Sequence, residues 1–196
     1  MNHLKQTVGF ALTGSFCTLD RAFSLMEELQ SQYEIIPILS ERVANTDTRF
    51  HTKEEVLERV RSICGKEPIT TITEAEPLGP RGLLDLLLVC PCTGNTLSKM
   101  ALGITDTSVT MAVKSHRRGG KGVLIALSTN DALSGSAKSL GTLLDRRGYY
   151  FVPLKQDDPK AKPASLQCDF QRVPEAVAAA LEEKQLQPLF YNELSN

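Results

Sequence analysis

Four short polar stretches of this 196-residue sequence carry residues that could bind an anion or the polar edge of a ring. Each follows an apolar run, and they comprise residues 14–16, Ser40, residues 91–96 and residues 128–131. Hydroxyl and backbone N–H donors of Ser15, Ser40 and the N-terminus of the first predicted helix could hold a dianionic phosphate without any Arg or Lys. The same residue types also form helix caps and turns, so only a shared position in the fold favours binding.

The standard motifs for larger nucleotides are missing. No G-x-G-x-x-G follows the first apolar run and no G-x-x-x-x-G-K-[ST] occurs, so the sequence favours a single phosphate over a pyrophosphate. The five cysteines are scattered, and no nearby Cys or His completes a ligand set with Cys90 and Cys92. This pattern predicts buried, reduced thiols and no metal site.

The charge of the chain argues against two classes of partner. Lys and Arg number 22 against 23 Asp and Glu, a net charge of -1, so there is no basic field for nucleic acid or an anionic membrane. No apolar run reaches the ~20 residues of a membrane span, and residues 1–9 lack the apolar core of a signal peptide. We therefore expect a cytoplasmic protein with neither partner.

The polar stretch at residues 91–96 is central to the pattern. Residues 83–90 form a nearly continuous apolar run, typical of a strand buried on both faces of a parallel sheet. Pro91 has no N–H for the ladder, which predicts that the strand ends there. A helix is predicted next, with an apolar face and a closing glycine at Leu97, Met100, Ala101 and Gly103. A second helix is predicted for residues 106–116.

Strand and helix patterns alternate along the rest of the chain. Further strands are predicted at residues 7–12, 33–39, 69–72, 123–127 and 149–154. One helix should bury Ala22, Leu25, Met26 and Leu29, and another, opened by a Thr52–Glu55 capping box, should bury Val56, Val60 and Ile63. Two more are predicted, one with Leu133, Ala137, Leu140 and Leu144 on one face and one from about Pro174. Residues 41–51 and 155–165 are predicted to be polar loops.

This alternation predicts the fold class α/β: a single Rossmann-like, doubly wound domain with a mostly parallel central sheet flanked by helices. The domain is predicted to span residues 1–196, with its core at about residues 7–154 and a loop and C-terminal helix at residues 155–196. Ligands of such sheets bind outside the carboxyl ends of the strands. All four polar stretches are predicted to meet there.

Several motifs together resemble a known superfamily. They are Gly14-Ser15 after the first strand, PCTGNTLSKMALGITD at residues 91–106 and VTMAV at residues 109–113. They are similar to the P-A-S-A-N-T-like loop and G-x-A-D-N-L-like turn of the flavoprotein superfamily of FMN-dependent cysteine decarboxylases and flavin prenyltransferases. The resemblance covers residues 7 to about 166. It implies FMN as cofactor and a homo-oligomer, trimer or dodecamer, with the flavin near the boundary between two copies.

The resemblance also implies roles for individual residues. Those expected to bind the cofactor are Gly14, Ser15, Phe16, Ser40, Cys92, Thr93, Asn95, Thr96, Ser128 and Thr129. Those expected to bind substrate are Asn95, Asn130 and Lys162. Asn95 and Thr96 are the expected catalytic residues, because the Asn that matches Asn95 contacts the substrate carboxylate in the decarboxylases.

The sequence departs from the decarboxylases at three places. Pro77 stands where they have a His, residues 128–131 replace their P-A-M-N clamp, and Thr107 replaces the Asn of their turn. A proline side chain can neither donate nor accept a proton. We therefore expect no decarboxylation of a cysteinyl substrate.

Within the superfamily, residues 126–144, 149–159 and 162–166 resemble one component of a two-component enzyme of endospore-forming bacteria. This implies oxidation of a dihydrodipicolinate-type intermediate to dipicolinate, a small dicarboxylate, in the mother cell. The flavin would take the hydride, and electrons would pass to a partner A subunit or to NAD(P) bound there. Two alternatives stay open: a flavin-binding accessory without turnover, and an FMN-dependent cysteine decarboxylase-like enzyme.

Some basic side chains have two interpretations. His116 lies at a predicted helix C-terminus, where a dipole contact explains it, and an active-site role is the alternative. Lys162 belongs either to a solvated loop or to a carboxylate or phosphate site. Arg117, Arg118 and Lys121 are predicted to form a solvated turn.

Overall fold

The alternating pattern forms strands and helices in a computed structural model, which describes residues 5–191. The strands of this part of the chain are β1 (Thr7–Leu12), β2 (Glu34–Leu39), β3 (Leu86–Cys92), β4 (Gly122–Thr129), β5 (Tyr149–Phe151), β6 (Leu154–Lys155) and β7 (Leu166–Cys168). Its helices are α1 (Leu19–Gln30), α2 (Glu41–Asn45), α3 (Lys53–Cys64), α4 (Ile72–Ala75), α5 (Gly94–Leu102), α6 (Ser108–Arg118), α7 (Ala137–Asp145) and α8 (Val173–Leu181). Short 3₁₀ turns occupy Phe16–Thr18, Glu76–Leu78 and Phe170–Arg172.

The central sheet has the strand order β2-β1-β3-β4, and these neighbours all run parallel. β5 adds a further parallel strand beside the first half of β4. β7 pairs antiparallel with the end of β4 and with β6. Helix α1 packs against α3 and α8, and helix α5 packs against α6 and α7. The predicted fold class, a single α/β domain with a mostly parallel sheet flanked by helices, is confirmed.

The central strand β3 does not end at Pro91, as the sequence predicts, but runs on to Cys92. Its pairing with β4 is regular up to Val89, shifts, and resumes at Cys92. The missing N–H of Pro91 therefore falls in an irregular stretch of the ladder, where a proline is tolerated. Its carbonyl has a partner, because Thr13 Oγ1 donates to it over 2.8 Å.

Several local structures predicted from the sequence are present. Thr52 and Glu55 make a reciprocal capping box at the start of α3. Gly65 and Gly103 end α3 and α5 at φ of 63° and 73°, a region that a residue with a Cβ rarely enters. The predicted apolar faces of α1, α3 and α5 are buried.

Three predictions of local structure are wrong. Residues 41–51 contain the short helix α2, capped by Ser40. Only Ile69 of residues 69–72 forms a bridge, because α4 starts at Ile72. The helix predicted to have Leu133 and Leu144 on its apolar face begins only at Ala137, so Leu133 lies outside it, and both leucines are exposed. Elements of four or five residues are too short to show a hydrophobic period.

The chain beyond residue 151 completes the edge of the sheet. The predicted strand at residues 149–154 divides into β5 and β6, with Pro153 between them. Strand β7 follows the predicted 155–165 loop and, at three residues, is too short for sequence periodicity to detect. Helix α8 begins one residue before the predicted Pro174.

Two of the three basic residues predicted to form a solvated turn, Arg117 at the end of α6 and Lys121 after it, instead bind carbonyls and a carboxylate, whereas Arg118 is exposed. The Arg117 guanidinium lies 5.4 Å from the Tyr149 ring centroid and donates to the Arg147 carbonyl over 2.9 Å. Lys121 Nζ lies 3.0 Å from Asp85 Oδ1. These contacts join the end of α6 to the starts of β3 and β5.

Cys17 is exposed and the other four cysteines are buried, all unpaired. Cys90 and Cys92 are buried free thiols, as predicted, and burial raises the pKa of both. Within residues 5–191, no three His, Cys, Asp or Glu side chains gather so as to hold a metal ion. None of the helices in the same range is long and apolar enough to cross a membrane.

Candidate functional site

A cavity of about 890 Å³, here called the strand-end cavity, lies at the carboxyl ends of β1, β2 and β3. It is lined by Thr13, Gly14, Ser40, Glu41, Arg42, Asn45, Thr46, Thr93, Asn95, Thr96, Lys99, Asp106 and Thr107. Its volume is within the ~300–1,000 Å³ typical of small-molecule sites. Three of the four predicted polar stretches contribute, through Gly14, Ser40, Thr93, Asn95 and Thr96.

Thr13 joins the loops that follow β1 and β3. Its buried hydroxyl donates to the Pro91 carbonyl over 2.8 Å and accepts from the Thr93 N–H over 3.0 Å. Because both partners lie nearly eighty residues away along the chain, this side chain fixes one wall of the cavity against the other. Thr13 was not among the residues predicted from the sequence, since a Thr next to a glycine is also an ordinary turn residue.

At the start of α5, the side-chain amide of Asn95 has no hydrogen-bond partner within residues 5–191. Thr93 caps the helix by accepting from the Thr96 N–H over 3.2 Å, and its hydroxyl donates to Thr96 Oγ1. The hydroxyl hydrogen of Thr96 is then available to a ligand. Asn95 is exposed in the cavity, and its amide makes no hydrogen bond within residues 5–191. Asn95 therefore plays no capping role and can bind a ligand.

The predicted phosphate end of the cavity contains a cation that was not predicted from the sequence. Ser40 caps α2 by accepting from the Val43 N–H over 3.4 Å, so its hydroxyl hydrogen stays free. The Arg42 stem lies over Gly14: a Cβ on Gly14 would be 3.4 Å from Arg42 Cδ. No Arg or Lys was invoked for this site from the sequence, but Arg42 and Lys99 both line the cavity. Their positions depend on side-chain direction, which sequence spacing does not reveal.

The remaining charged groups of the cavity are engaged by protein partners. Lys99 Nζ lies 2.8 Å from both carboxylate oxygens of Asp106, and this hydrogen bond lowers the pKa of Asp106. Glu41 accepts from the Ser108 N–H over 2.8 Å. Both contacts hold the start of α6 against the cavity, where Thr107 caps the helix.

Four predicted cofactor residues lie beside the cavity and do not line it. Ser15 Oγ donates to Ser128 Oγ over 3.4 Å and accepts from Thr18 Oγ1 over 3.1 Å. Ser128 and Thr129 are strand residues paired with β7. Phe16 is half-buried and packs against the core.

Two predicted substrate residues are also outside the cavity lining. Asn130 is exposed in the turn after β4. Lys162 Nζ lies 2.9 Å from Asp157 Oδ2, which raises the Lys162 pKa. The carboxylate that Lys162 contacts therefore belongs to its own loop. The side chain of Cys92, which was predicted to lie against the flavin, is fully buried.

His116 is a buried structural residue. Its ring Nε2 donates to the Gly122 carbonyl over 2.9 Å, and the ring does not line the cavity. Burial, aided by the nearby cations Lys121 and Arg117, lowers its pKa from 6.5 to about 4. The ring bonds to a carbonyl of β4, and not to the terminal carbonyls of α6 that a dipole contact would involve.

The lowered pKa predicts a pH-dependent stability. Between pH 6.5 and about 4 the unfolded state binds a proton at His116 that the folded state does not, so the free energy of unfolding should decrease as the pH falls through that window. The decrease should reach up to about 3 kcal/mol. Urea unfolding at several pH values measures it. His116→Gln, which keeps an N–H donor for Gly122, should show a flatter profile. An equal slope in both proteins would contradict this assignment.

The cavity residues fit a flavin mononucleotide. Ser40 and the Arg42 guanidinium offer donors to a phosphate at one end, next to the close backbone of Gly14. Thr93, Asn95 and Thr96 offer polar groups to a ring edge.

A protein-family model described as Flavoprotein matches residues 1–168. The chain is similar to the B subunit of dipicolinate synthase from Bacillus subtilis (strain 168), with 39% identity over 191 residues and 96% of each chain covered. It is also similar to the crystal structure of the same component from Bacillus halodurans, with a TM-score of 0.88, 36% identity, and 98% of this chain and 99% of that one covered.

A more distant similarity concerns the fold alone. A dodecameric FMN-dependent UbiX-like decarboxylase from Escherichia coli O157:H7 superposes with a TM-score of 0.58 and is 17% identical. The superposition covers 76% of this chain and 80% of that one.

Proposed function

Since this chain belongs to the flavoprotein family, we propose that it binds FMN in the strand-end cavity and acts as the B subunit of a dipicolinate synthase. With an A subunit, it would oxidise a dihydrodipicolinate-type intermediate to dipicolinate. The observation that carries the proposal is the cavity itself, in which the free Asn95 amide and Arg42 guanidinium face a space large enough for a mononucleotide and a small acid. The 39% identity to the Bacillus subtilis protein supports it.

The proposed roles follow from the donors available. Gly14 and Ser40 would bind the phosphate, and Thr93 and Thr96 the edge of the flavin. The Asn95 amide would orient a substrate carboxylate, because an amide N–H is a good donor to that group. A bound flavin would supply hydride acceptance. The substrate's ring proton would pass to water or to a partner residue, since the cavity offers no His and its carboxylates are engaged.

The other predicted residues have supporting roles in this proposal. Ser15, Phe16, Ser128 and Thr129 would border the cofactor next to the cavity, as would the backbone of Cys92. Asn130 and Lys162 lie outside the cavity lining, so we do not retain them as substrate ligands. None of the similarities points to a nicotinamide cofactor.

Two other functions remain candidates. A flavin-binding accessory would need the same cavity but no turnover at Asn95. A cysteine decarboxylase is disfavoured, because Pro77 lies in the 3₁₀ turn Glu76–Leu78, packed against α6, and replaces the expected His.

We propose a homo-oligomer, a trimer or dodecamer, located in the cytoplasm of the mother cell. The dodecameric relative supports the assembly. Two exposed apolar side chains also support the assembly. Leu102, at the end of α5, and Ile104, just after it, are 74% and 42% exposed, and a second copy of the chain would remove this apolar surface from water. Mass measurement in solution tests this, and a monomer that retains FMN and full activity would exclude it.

The central experiment compares this chain, its A-type partner and their mixture. The isolated chain should bind FMN more tightly than FAD, and its bound flavin should be reduced by the dihydrodipicolinate-type intermediate. The mixture should make dipicolinate faster than either component by itself.

Other results would change the assignment. Flavin that stays oxidised while the mixture needs this chain would favour the accessory role. Release of carbon dioxide from a cysteinyl substrate would favour the decarboxylase. A partner that alone matches the mixture would refute a role for this chain in the synthesis.

A further inference from the structure

Arg42 occupies an unusual position in the strand-end cavity. It belongs to α2, directly after β2, yet its aliphatic stem reaches across to the end of β1. Atoms Cδ and Cγ would lie 3.4 Å and 3.8 Å from a Cβ placed on Gly14. The stem therefore lies within van der Waals reach of Gly14, and Arg42 forms part of the cavity wall there.

The charge balance of the cavity singles out this guanidinium. Four charged residues line the cavity: Glu41, Arg42, Lys99 and Asp106. Lys99 and Asp106 pair with each other, and Glu41 accepts from Ser108. Within residues 5–191, Arg42 makes no salt bridge and donates no side-chain hydrogen bond. Of the two cations that line the cavity, it is therefore the one without a carboxylate partner, and it lies beside two residues proposed to bind phosphate, Gly14 and Ser40.

We propose that Arg42 pairs with the phosphate monoester of the flavin and so makes the site selective for the mononucleotide over riboflavin. This inference rests on the proposed function and assigns a specificity-determining residue to it. A guanidinium presents two parallel N–H groups that match two phosphate oxygens. A carboxylate of the substrate has the same oxyanion chemistry, so the test must separate the two ligands.

The test measures the affinities of the full-length protein for FMN and for riboflavin, which lacks the phosphate. In Arg42→Gln, FMN affinity should fall roughly 10–100-fold, the range expected for a lost charge-assisted pair, while riboflavin affinity stays within about 3-fold. Arg42→Lys keeps the positive charge but loses the two parallel N–H groups of the guanidinium, so it should retain part of the preference for FMN over riboflavin. Arg49→Gln is the matched control, because Arg49 stacks on Phe50 at 4.8 Å and does not line the cavity.

Each outcome decides a separate question. If the wild-type protein binds no FMN, the proposed function fails. If it binds FMN but Arg42→Gln keeps the same ratio of FMN to riboflavin affinity, this inference fails and the function stands. Titration with pyridine-2,6-dicarboxylate and pyridine-2-carboxylate tests whether Arg42 instead binds a substrate carboxylate. Loss of the preference for the dicarboxylate, with the flavin ratio unchanged, would assign Arg42 to substrate and overturn the inference.

Discussion

In an Asn95→Ala variant, the rate of dipicolinate formation by the mixed components is expected to fall about 10–100-fold, the effect of losing one hydrogen bond to a charged group. The fold should be unaffected. Thr93, and not Asn95, caps α5, and the Asn95 side chain has no partner within residues 5–191. The loss should therefore appear in turnover with flavin still bound. Steady-state rates and FMN titration of the same preparation measure both quantities.

Asn130→Ala is the matched control for this prediction. Asn130 is also exposed and was predicted from the sequence as a substrate ligand, but it does not line the cavity. Its removal should change the rate by less than about 3-fold, as expected for a surface residue. Equal rates for the Asn95 variant and the wild type would remove Asn95 from the mechanism. A large loss in the Asn130 variant alone would move the substrate site towards the end of β4.

A Gly79→Ala variant is expected to lose about 3 kcal/mol or more of unfolding free energy, at or above the upper end for overpacking a tight contact. A Cβ on Gly79 would lie 1.8 Å from the Ser115 carbonyl oxygen. This neighbour is backbone of α6, so helix and turn would have to separate. The separation would also disturb the hydrogen bond that the Gly79 N–H donates to Ser115 Oγ over 2.9 Å.

The same chemical change should have the opposite effect at Gly141. That residue lies inside α7, and an added Cβ meets nothing within 4 Å. Gly141→Ala should therefore stabilise the protein by up to about 1 kcal/mol through helix propensity. Urea unfolding of both variants compares the two. If Gly79→Ala unfolds at the wild-type denaturant concentration, the close packing of α6 on the 3₁₀ turn is wrong.

The sequence alone determined the features that depend on neighbours along the chain. The alternation of apolar runs and helical periods specified the α/β fold. Thr52, Glu55 and Gly103 marked helix ends correctly, because a cap bonds to groups within a few residues. The polar residues after β1, β2 and β3 were found because parallel strands place their carboxyl ends on one edge of the sheet.

Tertiary structure decided which of those residues share a cavity and which charges remain free. Ser15 turns towards Ser128, more than one hundred residues away along the chain, whereas Arg42 extends over Gly14 into the cavity. Strand β3 continues past Pro91 because its ladder with β4 shifts there, and this shift depends on both strands. Such features depend on side-chain direction and on contacts between distant segments, and neither leaves a period or a spacing in the sequence.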